Sequence, residues 1–532
     1  MRRVVETDIC IVGSGITAAL LAEKLTAERS ASVLVVEAGD DVPEPSQWAT
    51  LRKRYLAYGE SPWLRDHIDG MEAQGIQSRS MCVGGLAMHW GAVTPRFSPE
   101  DFKTRSLCGV GVDWPISYED LEPFYQEAEE RMGVAGEQGP EDLDPRGRPF
   151  PMPMLPLSYN LVRLKEWVNA AGIPVWSQPS AKNSVPYHGR AACCRNDTCS
   201  PICPVGAKYT PDVTWRALRA QGRVTLLVRT LVRRLVVAER SDRVEYALAV
   251  QRDRPNEELE IRAGVFVLAA GYVWSSHLLL LSSSSRFPNG LANASGLVGK
   301  YLCGHRSVQA FIELPIPLYP GMNVQHSLVS KYFMRQPRYQ RYLRHDLRVW
   351  ESAVGREPRL RNDRGELLLG DALLADWRSR VANRSTARVR CYCDVIPARN
   401  SELTLDPSRR NAWGDPLPRL QWRDAPESQE LRGWSEERIR ELFDRLARAG
   451  GGRVLRSAAD SFQDHPAGGC RMGTNAADSV VDSWGRTHQH ENLFVVGAPT
   501  MPSASCANGT LTFCALALRS AVEIGRPFPL RR

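Results

Sequence analysis

Asp8-Ile9-Cys10-Ile11-Val12-Gly13-Ser14-Gly15-Ile16-Thr17-Ala18-Ala19-Leu20-Leu21-Ala22-Glu23-Lys24-Leu25 is the stretch on which the reading of this chain turns. Its first five residues are mostly apolar and β-branched, as in a buried strand, and Ala19 onward follows a helical pattern. A second β run, Ser32-Val33-Leu34-Val35-Val36, ends in Glu37. Strand, turn, helix, strand and acid stand in the order of a βαβ unit. Within it each residue of the turn has a task. Gly13 permits the tight turn, and Gly15 lets the backbone approach a pyrophosphate at the helix N-terminus. The small Ala18 lets helix pack on strand, and Glu37 can accept hydrogen bonds from a ribose. The opening therefore predicts a Rossmann-like dinucleotide site and an α/β fold.

Farther along, residues 40–150 are rich in Gly, Pro and Trp and read as long loops with short helices, apart from a clear helix over Ser117–Arg131. Stretches rich in β-formers run from Val224 to Leu235 and from Tyr246 to Ala270, followed by Gly271 and a helical run over Ser276–Ser282. Residues 300–460 alternate short strands with turn-rich, Arg-rich segments and end in a helix over Glu436–Ala449. The last seventy residues return to strand-then-helix chemistry, with a strand over Asn492–Val496, Gly497, and a helix over Leu511–Ile524. The expected architecture is a discontinuous dinucleotide domain (1–300 and 461–532) with an inserted α+β substrate domain (301–460) built on an antiparallel sheet.

At 532 residues, with 43% hydrophobic and 24% charged residues, the composition is that of an ordinary globular protein of more than one domain. The net charge of +8, from 68 Lys and Arg against 60 Asp and Glu, is scattered rather than concentrated in a stripe, which speaks against nucleic-acid binding. No apolar run reaches the length of a membrane span: Gly264–Ser282 is broken by Ser275, Ser276 and His277. Arg2 and Arg3 resemble the start of an export signal, but Glu6 and Asp8 interrupt the apolar stretch, which the strand and helix of the βαβ unit explain better.

Thirteen cysteines are present, and four of them, Cys193, Cys194, Cys199 and Cys203, fall within eleven residues. Cys193, Cys199 and Cys203 are spaced for a tight loop around a compact inorganic core, and Pro204 follows the last of them, as in iron–sulfur loops. Three usable thiolates favour a 3Fe–4S cluster, since adjacent Cys194 and Cys193 are poorly placed to serve together. A zinc knuckle using His188 and a pair of disulfides are the alternatives.

Taken with these features, the chain resembles the glucose–methanol–choline (GMC) flavoprotein oxidoreductases. Resemblance is carried by the N-terminal fingerprint, by Val83-Gly84-Gly85-Leu86-Ala87-Met88-His89-Trp90-Gly91, by Val267–Gly271, and by Asp464-His465-Pro466-Ala467-Gly468-Gly469-Cys470-Arg471-Met472-Gly473 with Cys506-Ala507-Asn508-Gly509-Thr510-Leu511-Thr512. It implies FAD as cofactor, held by Gly13, Gly15, Ala18, Glu37, Gly84, Gly85, His89, Val232, Gly271 and Gly497, with His89 also a candidate for a covalent flavin link. Leu86-Ala87 departs from the small hydroxyl residues usual there. The same resemblance makes His465 the base that takes an alcohol proton and Asn508 its partner on the substrate oxygen. His488 and His490 lack such context and read as surface or loop histidines.

The cysteine loop (within 188–210) and the segments Arg96–Phe102, Asp113–Ile116 and Asp120–Pro123 resemble the catalytic subunits of bacterial FAD-dependent sugar dehydrogenases. That resemblance implies oxidation of a sugar or polyol hydroxyl, with a cluster passing electrons to a cytochrome c subunit. It also implies a small signal-bearing partner subunit and a periplasmic location at the inner membrane, a cytoplasmic enzyme being the alternative. An oxygen-using carbohydrate or glycoside oxidase and a redox-silent FAD-containing lyase are the competing readings. Trp350, Tyr392 and Trp422 are aromatic candidates for stacking on a sugar, though such residues more often pack in a core.

Overall fold

The computed structural model describes residues 2–28, 31–63, 80–319, 326–335, 343–351, 358–362, 364–382, 385–460 and 463–526. The βαβ unit forms as read: strand Arg2–Val12, helix Ile16–Glu28 and strand Val33–Val36. Alternate residues of the two strands face opposite layers. Ile9, Ile11, Val33 and Val35 pack with Ala18, Leu21, Ala22 and Leu25 of the helix. Cys10, Val12, Leu34 and Val36 face the other way, into a core shared with Leu121 and Tyr125. A sheet covered on both faces needs such a continuous apolar run rather than an alternating one.

Seven strands make up this first sheet. Arg2–Val12 lies parallel to Val33–Val36 on one side and to Arg254–Leu268 on the other, and Leu493–Val495 adds in parallel to the end of Arg254–Leu268. Register matters here, because Val12 is opposite Leu268 and Leu268 is opposite Val495. Three strands separated by hundreds of residues thus end at one level. The turns that follow, at Gly13, Gly271 and Gly497, gather at the carboxyl edge of the parallel strands, where open α/β sheets bind their ligands.

A second sheet of seven strands is antiparallel, as expected of the inserted segment. Its centre is Cys303–Leu314, Ser385–Cys393 and Leu347–Glu351, and helix Pro426–Ala449 packs on it. That helix starts ten residues before the predicted Glu436, since Pro426 occupies its first turn and Gly433 is absorbed within it. The helix predicted over Ser276–Ser282 likewise begins at Gly271 and runs to Leu281. Trp176–Ser177, from well before residue 301, forms one edge of the sheet, and Leu161, Leu164 and Trp167 lie in its core. Burial of this one helical face, not sequence order, decides to which layer residues 159–177 belong.

After the inserted segment the chain adds one more strand to this second sheet before it returns to the first. The start of Cys303–Leu314 pairs with Asp464–Ala467, with Cys303 opposite Ala467 and His305 opposite Asp464. A Cβ on Gly304 would lie 2.4 Å from the Asp464 carbonyl oxygen, so only glycine lets the strands approach this closely.

Around the helix Tyr118–Met132, Arg96 is buried in a polar cluster. It donates to both Glu129 carboxylate oxygens at 2.9 and 2.8 Å and to Tyr118 and Glu122, while Arg146 supports Glu129 from the other side. Removing one partner of a buried ion pair leaves an uncompensated charge, at a cost of ~3–5 kcal/mol. The Arg96→Ala protein is expected to lose about that much stability in chemical denaturation; a loss within experimental error would show that Arg146 alone suffices.

Candidate active site

Glycines build the dinucleotide cradle. Gly13 has φ +96°, and a Cβ there would lie 2.8 Å from Ala270 Cα and 2.9 Å from the Ala269 carbonyl oxygen. Gly15 bridges to Gly84, whose N–H donates to Ser14 O at 3.2 Å, and a Cβ on Gly85 would come to 3.7 Å from Gly15 Cα. Gly497, with φ +82°, presses on the helix start, a Cβ there reaching 2.8 Å from Thr17 Cγ2. Loops 13–15, 84–85 and 497 therefore converge on one helix N-terminus, and side chains are excluded where a phosphate needs backbone N–H groups.

Glu37 is buried at the end of its strand and accepts from Ser14 N at 3.0 Å, Ser14 Oγ at 2.6 Å and Gly39 N at 2.8 Å. Burial pushes its carboxyl pKa up, and these hydrogen bonds oppose that shift. A carboxylate offers about four acceptor positions, which leaves room for a ribose hydroxyl. Ser14, which joins Glu37 to the 84–85 loop, carries no signal in the sequence beyond its place between two glycines. Ala18 is fully buried under the helix, and Val232 lies two residues past Thr230, whose N–H donates to Glu37 O at 2.9 Å. His89 follows a short helical turn over Gly85–Met88 and meets Ser80 Oγ through Nε2 at 3.3 Å.

His465 and Asn508 come together from the two pieces of the C-terminal segment. Asn508 Nδ2 and His465 Nε2 are 2.6 Å apart, and Asn508 stands two residues before helix Thr510–Ile524, which packs against the dinucleotide-binding helix. Asn508 Oδ1 is buried with no hydrogen-bond partner among the described residues. Orphaned buried acceptors are rare, and a hydroxyl-bearing ligand would satisfy this one. Burial is the main force holding the His465 pKa below its ordinary value; Asp464 opposes that shift, and Arg348 and Arg390 add to it.

On its other side His465 Nδ1 meets His305 Nε2 at 2.8 Å. His305, a lone His in an apolar strand, gives no sequence signal of a role; the strand pairing alone brings it here. Tyr392 packs edge-on to His465 at 5.8 Å, with Arg348 and Arg390 over its ring at 4.7 and 4.3 Å. Of the three aromatic candidates only Tyr392 is near the pair; Trp350 lies under Arg388 and Trp422 against Tyr272. His490 is not at the surface: fully buried, it accepts from Ala292 N at 3.2 Å and meets Asp242 O at 2.6 Å, a structural link between loops.

The cysteine loop packs on the 84–91 loop. Ser200 Oγ donates to His89 O at 2.8 Å and Trp90 Nε1 donates to Tyr209 O at 2.9 Å. Lys208, fully enclosed, places Nζ 3.0 Å from both Met88 O and Trp90 O and 2.6 Å from Cys199 O. Burial lowers its pKa to about 8, and Cys199 and Cys203 act in the opposite sense. Among the described residues no carboxylate reaches this ammonium. Buried charges are normally paired, and buried Asp212 acts on Lys208 and on nearby Arg190 in the same sense as the thiols, so an anionic group ligated there would add to the neutralisation of Lys208. Cys199 and Cys203 are buried, Cys193 is half-buried, and Cys194 is exposed beside Asn196. His188, stacked on Tyr187, is exposed. Among the described residues the group of His, Cys, Asp or Glu whose ligand atoms all lie within 4.8 Å of one another is His305, Asp464 and His465.

Comparison with known proteins agrees with this geometry. The GMC oxidoreductase C-terminal family model matches residues 397–517. The fructose dehydrogenase large subunit of Gluconobacter japonicus is 31% identical over 97% of this chain and 97% of its own length. The 6'''-hydroxyparomomycin C oxidase of Streptomyces lividus is 29% identical, over 97% of this chain and 91% of its own. A solved structure of Aspergillus oryzae RIB40 formate oxidase, described for the modification of its FAD, superposes with TM-score 0.64 at 15% identity, over 98% of this chain and 99% of that one.

Because Gly13 is hemmed in by backbone on one side and has a left-handed φ, the Gly13→Ala protein is expected to purify with little bound dinucleotide. The ratio of cofactor to protein absorbance measures this, and full occupancy would mean that the turn does not form the cradle.

Proposed function

The chain belongs to the GMC oxidoreductase family, whose members are FAD-dependent, and on that premise we propose that it oxidises a sugar or polyol hydroxyl to a carbonyl and delivers the electrons to a one-electron acceptor of the cytochrome type. The observation that carries the reading is the part-buried His465–Asn508 pair, 2.6 Å apart, with Asn508 Oδ1 left without a partner among the described residues. FAD would be held by Gly13, Gly15, Gly84, Gly85, Gly497 and Glu37, with Ala18, Val232, Gly271 and His89 around them. When bound, its isoalloxazine supplies the hydride acceptor.

The protein's own part is proton handling and orientation. His465 Nε2 takes the hydroxyl proton as the C–H bond is broken, and a neutral imidazole is the form able to do so. The Asn508 amide orients the substrate oxygen without competing as a base.

Cys193, Cys199 and Cys203 would hold a 3Fe–4S cluster, with Lys208, Lys182 and Arg190 offsetting its negative charge. When bound, the cluster supplies one-electron exchange. Contact between the cysteine loop and the 84–91 loop supports this role, and a relative named as a dehydrogenase subunit agrees with a cytochrome acceptor and partner subunits at the periplasmic face of the inner membrane. None of the described helices is long and apolar enough to cross a membrane. One observation favours a second reading, an oxygen-using oxidase: a relative of nearly equal similarity is named an oxidase.

Three outcomes are expected. Under anaerobic conditions a panel of D-fructose, D-glucose, sorbitol and an aminoglycoside contains a compound that reduces the flavin, and His465→Ala slows that reduction by ~10²–10⁴-fold with flavin retained. An unchanged rate would remove His465 as the base. The rate of reduction needs neutral His465, so it falls as pH drops through the His465 pKa. Because burial lowers that pKa, the acid limb lies below the ordinary value of 6.5; a limb above it contradicts the enclosed site. Anaerobically purified protein should carry about three irons per flavin, with matching sulfide and a three-iron EPR signal, and the Cys199→Ser protein should lack them. Iron-free protein that makes peroxide from sugar in air would establish the oxidase instead.

A further inference from the structure

We propose that His305, contributed by the inserted antiparallel sheet, is a positioning residue that locks His465 in the tautomer whose Nε2 is free to take the substrate proton. The inference rests on His465 being the base.

The hydrogen bonds leave one consistent assignment of protons. Ser505 O can only accept, so His305 Nδ1, 3.2 Å away, must carry a proton. His305 is fully buried, and its pKa is driven well below the ordinary range by burial first, then by His465, Arg348 and Arg390. It is therefore neutral, and Nε2 is a bare acceptor. His465 Nδ1, 2.8 Å from that nitrogen, must donate. His465 Nε2 then holds a lone pair, which meets the N–H of Asn508 Nδ2 at 2.6 Å. The relay reads Asn508, His465, His305, Ser505 carbonyl: Asn508 donates, each histidine accepts from one neighbour and donates to the next, and the carbonyl accepts.

The carboxylate that most often orients a histidine is absent from this role. Asp464 Oδ2 lies 3.7 Å from His465 Nδ1, beyond hydrogen-bond reach, while Asp464 Oδ1 accepts from the His465 backbone N–H at 2.9 Å. Other charged or titratable groups facing the pair are Arg348 from strand Leu347–Glu351 and Arg390 and Tyr392 from strand Ser385–Cys393. Arg348 is paired with Asp346 at 2.7 Å and Arg390 with Asp460 at 2.7 Å. No anion touches Nδ1, so a neutral imidazole does the positioning.

Two members of the relay also hold strained backbone, as seven other non-glycine residues do elsewhere among those described. His465 and Ser505 both adopt left-handed conformations, with φ of 49° and 56°, that non-glycine residues rarely hold. Ser505 is kept there by Oγ donating to Asp101 Oδ1 at 2.7 Å, and Asp101 pairs with Arg344 at 3.0 Å. Gly304 and its contact with Asp464 hold the two strands close enough for the imidazoles to meet. If His305 were inert packing, neither strained residue would need to face it with a polar atom.

The test uses FAD-loaded enzyme and the panel sugar that reduces wild-type flavin fastest, followed anaerobically across pH. His305→Leu leaves Nδ1–H of His465 without an acceptor and frees the ring to change tautomer; a roughly 10- to 100-fold fall in the rate of flavin reduction is expected. His305→Gln, whose Oε1 can accept the same proton, should recover most of the rate. His305→Glu sets a carboxylate against Nδ1, raises the His465 pKa and moves the acid limb to higher pH. A full rate in His305→Leu, equal losses in the Leu and Gln proteins, or an unmoved limb in the Glu protein overturns the proposal. Should the Leu protein fail to fold, the Gln and Glu proteins decide. His465→Ala separates the two levels: full activity there ends the base reading itself, whereas an inactive His465→Ala beside a fully active His305→Leu ends only the role of His305.

Discussion

The parallel register of three strand ends, Val12 beside Leu268 beside Val495, is the constraint from which the rest follows. Each strand runs into a turn at the same edge of the sheet, so Gly13, Gly271 and Gly497 are neighbours although nearly five hundred residues separate the first from the last. A parallel sheet pairs only when both faces are covered, and helices Ile16–Glu28 and Thr510–Ile524 supply cover while packing on each other. The same arrangement delivers Asn508, just ahead of the second helix, to the mouth of the cradle. A slip of one residue in the strand Leu493–Val495 would turn Phe494 from one layer to the other and carry the following turn away from Thr17.

Within that frame the site contains unfavourable local states that the surrounding fold holds in place. Of the nine non-glycine residues with left-handed φ among those described, each costing on the order of 1–3 kcal/mol, two are members of the histidine relay. Burial lowers the proton affinity of both His305 and His465, which favours the neutral form a base needs. Arg344 to Asp101 to Ser505 forms a polar chain that holds the strained turn from behind. Such a network is worthwhile only when its members are satisfied; Asn508 Oδ1 is one of the buried atoms left without a hydrogen-bond partner among the described residues.

The cysteine loop has a different electrostatic character. Lys208 is solvated by backbone carbonyls of two loops rather than by a carboxylate. An ammonium so placed joins the loops mechanically and gathers positive potential at the thiols. Both effects would suit the anionic cluster proposed for Cys193, Cys199 and Cys203.

Local pattern alone determined the βαβ opening and an α/β fold with a second, antiparallel sheet, because each is written in contiguous residues: periodicity for strands and helices, and glycines where backbone must come close; His465 and Asn508 were singled out by resemblance to a family motif, and the structure brings them within 2.6 Å of each other. Helix Pro426–Ala449 was only half legible, since Pro and Gly read as breakers until tertiary packing buries one face of the helix. His305, Ser505, Asp101 and Lys208 were not legible at all. A lone histidine in a strand or a lone lysine in a loop has no periodicity to distinguish it. Their roles arise from contacts between segments 9 to 404 residues apart, and from burial, which alters proton affinities. Those are properties of the assembled structure: only when strand Asp464–Ala467 pairs with Cys303–Leu314 at Gly304 does His305 meet His465, and with it a proton to hold.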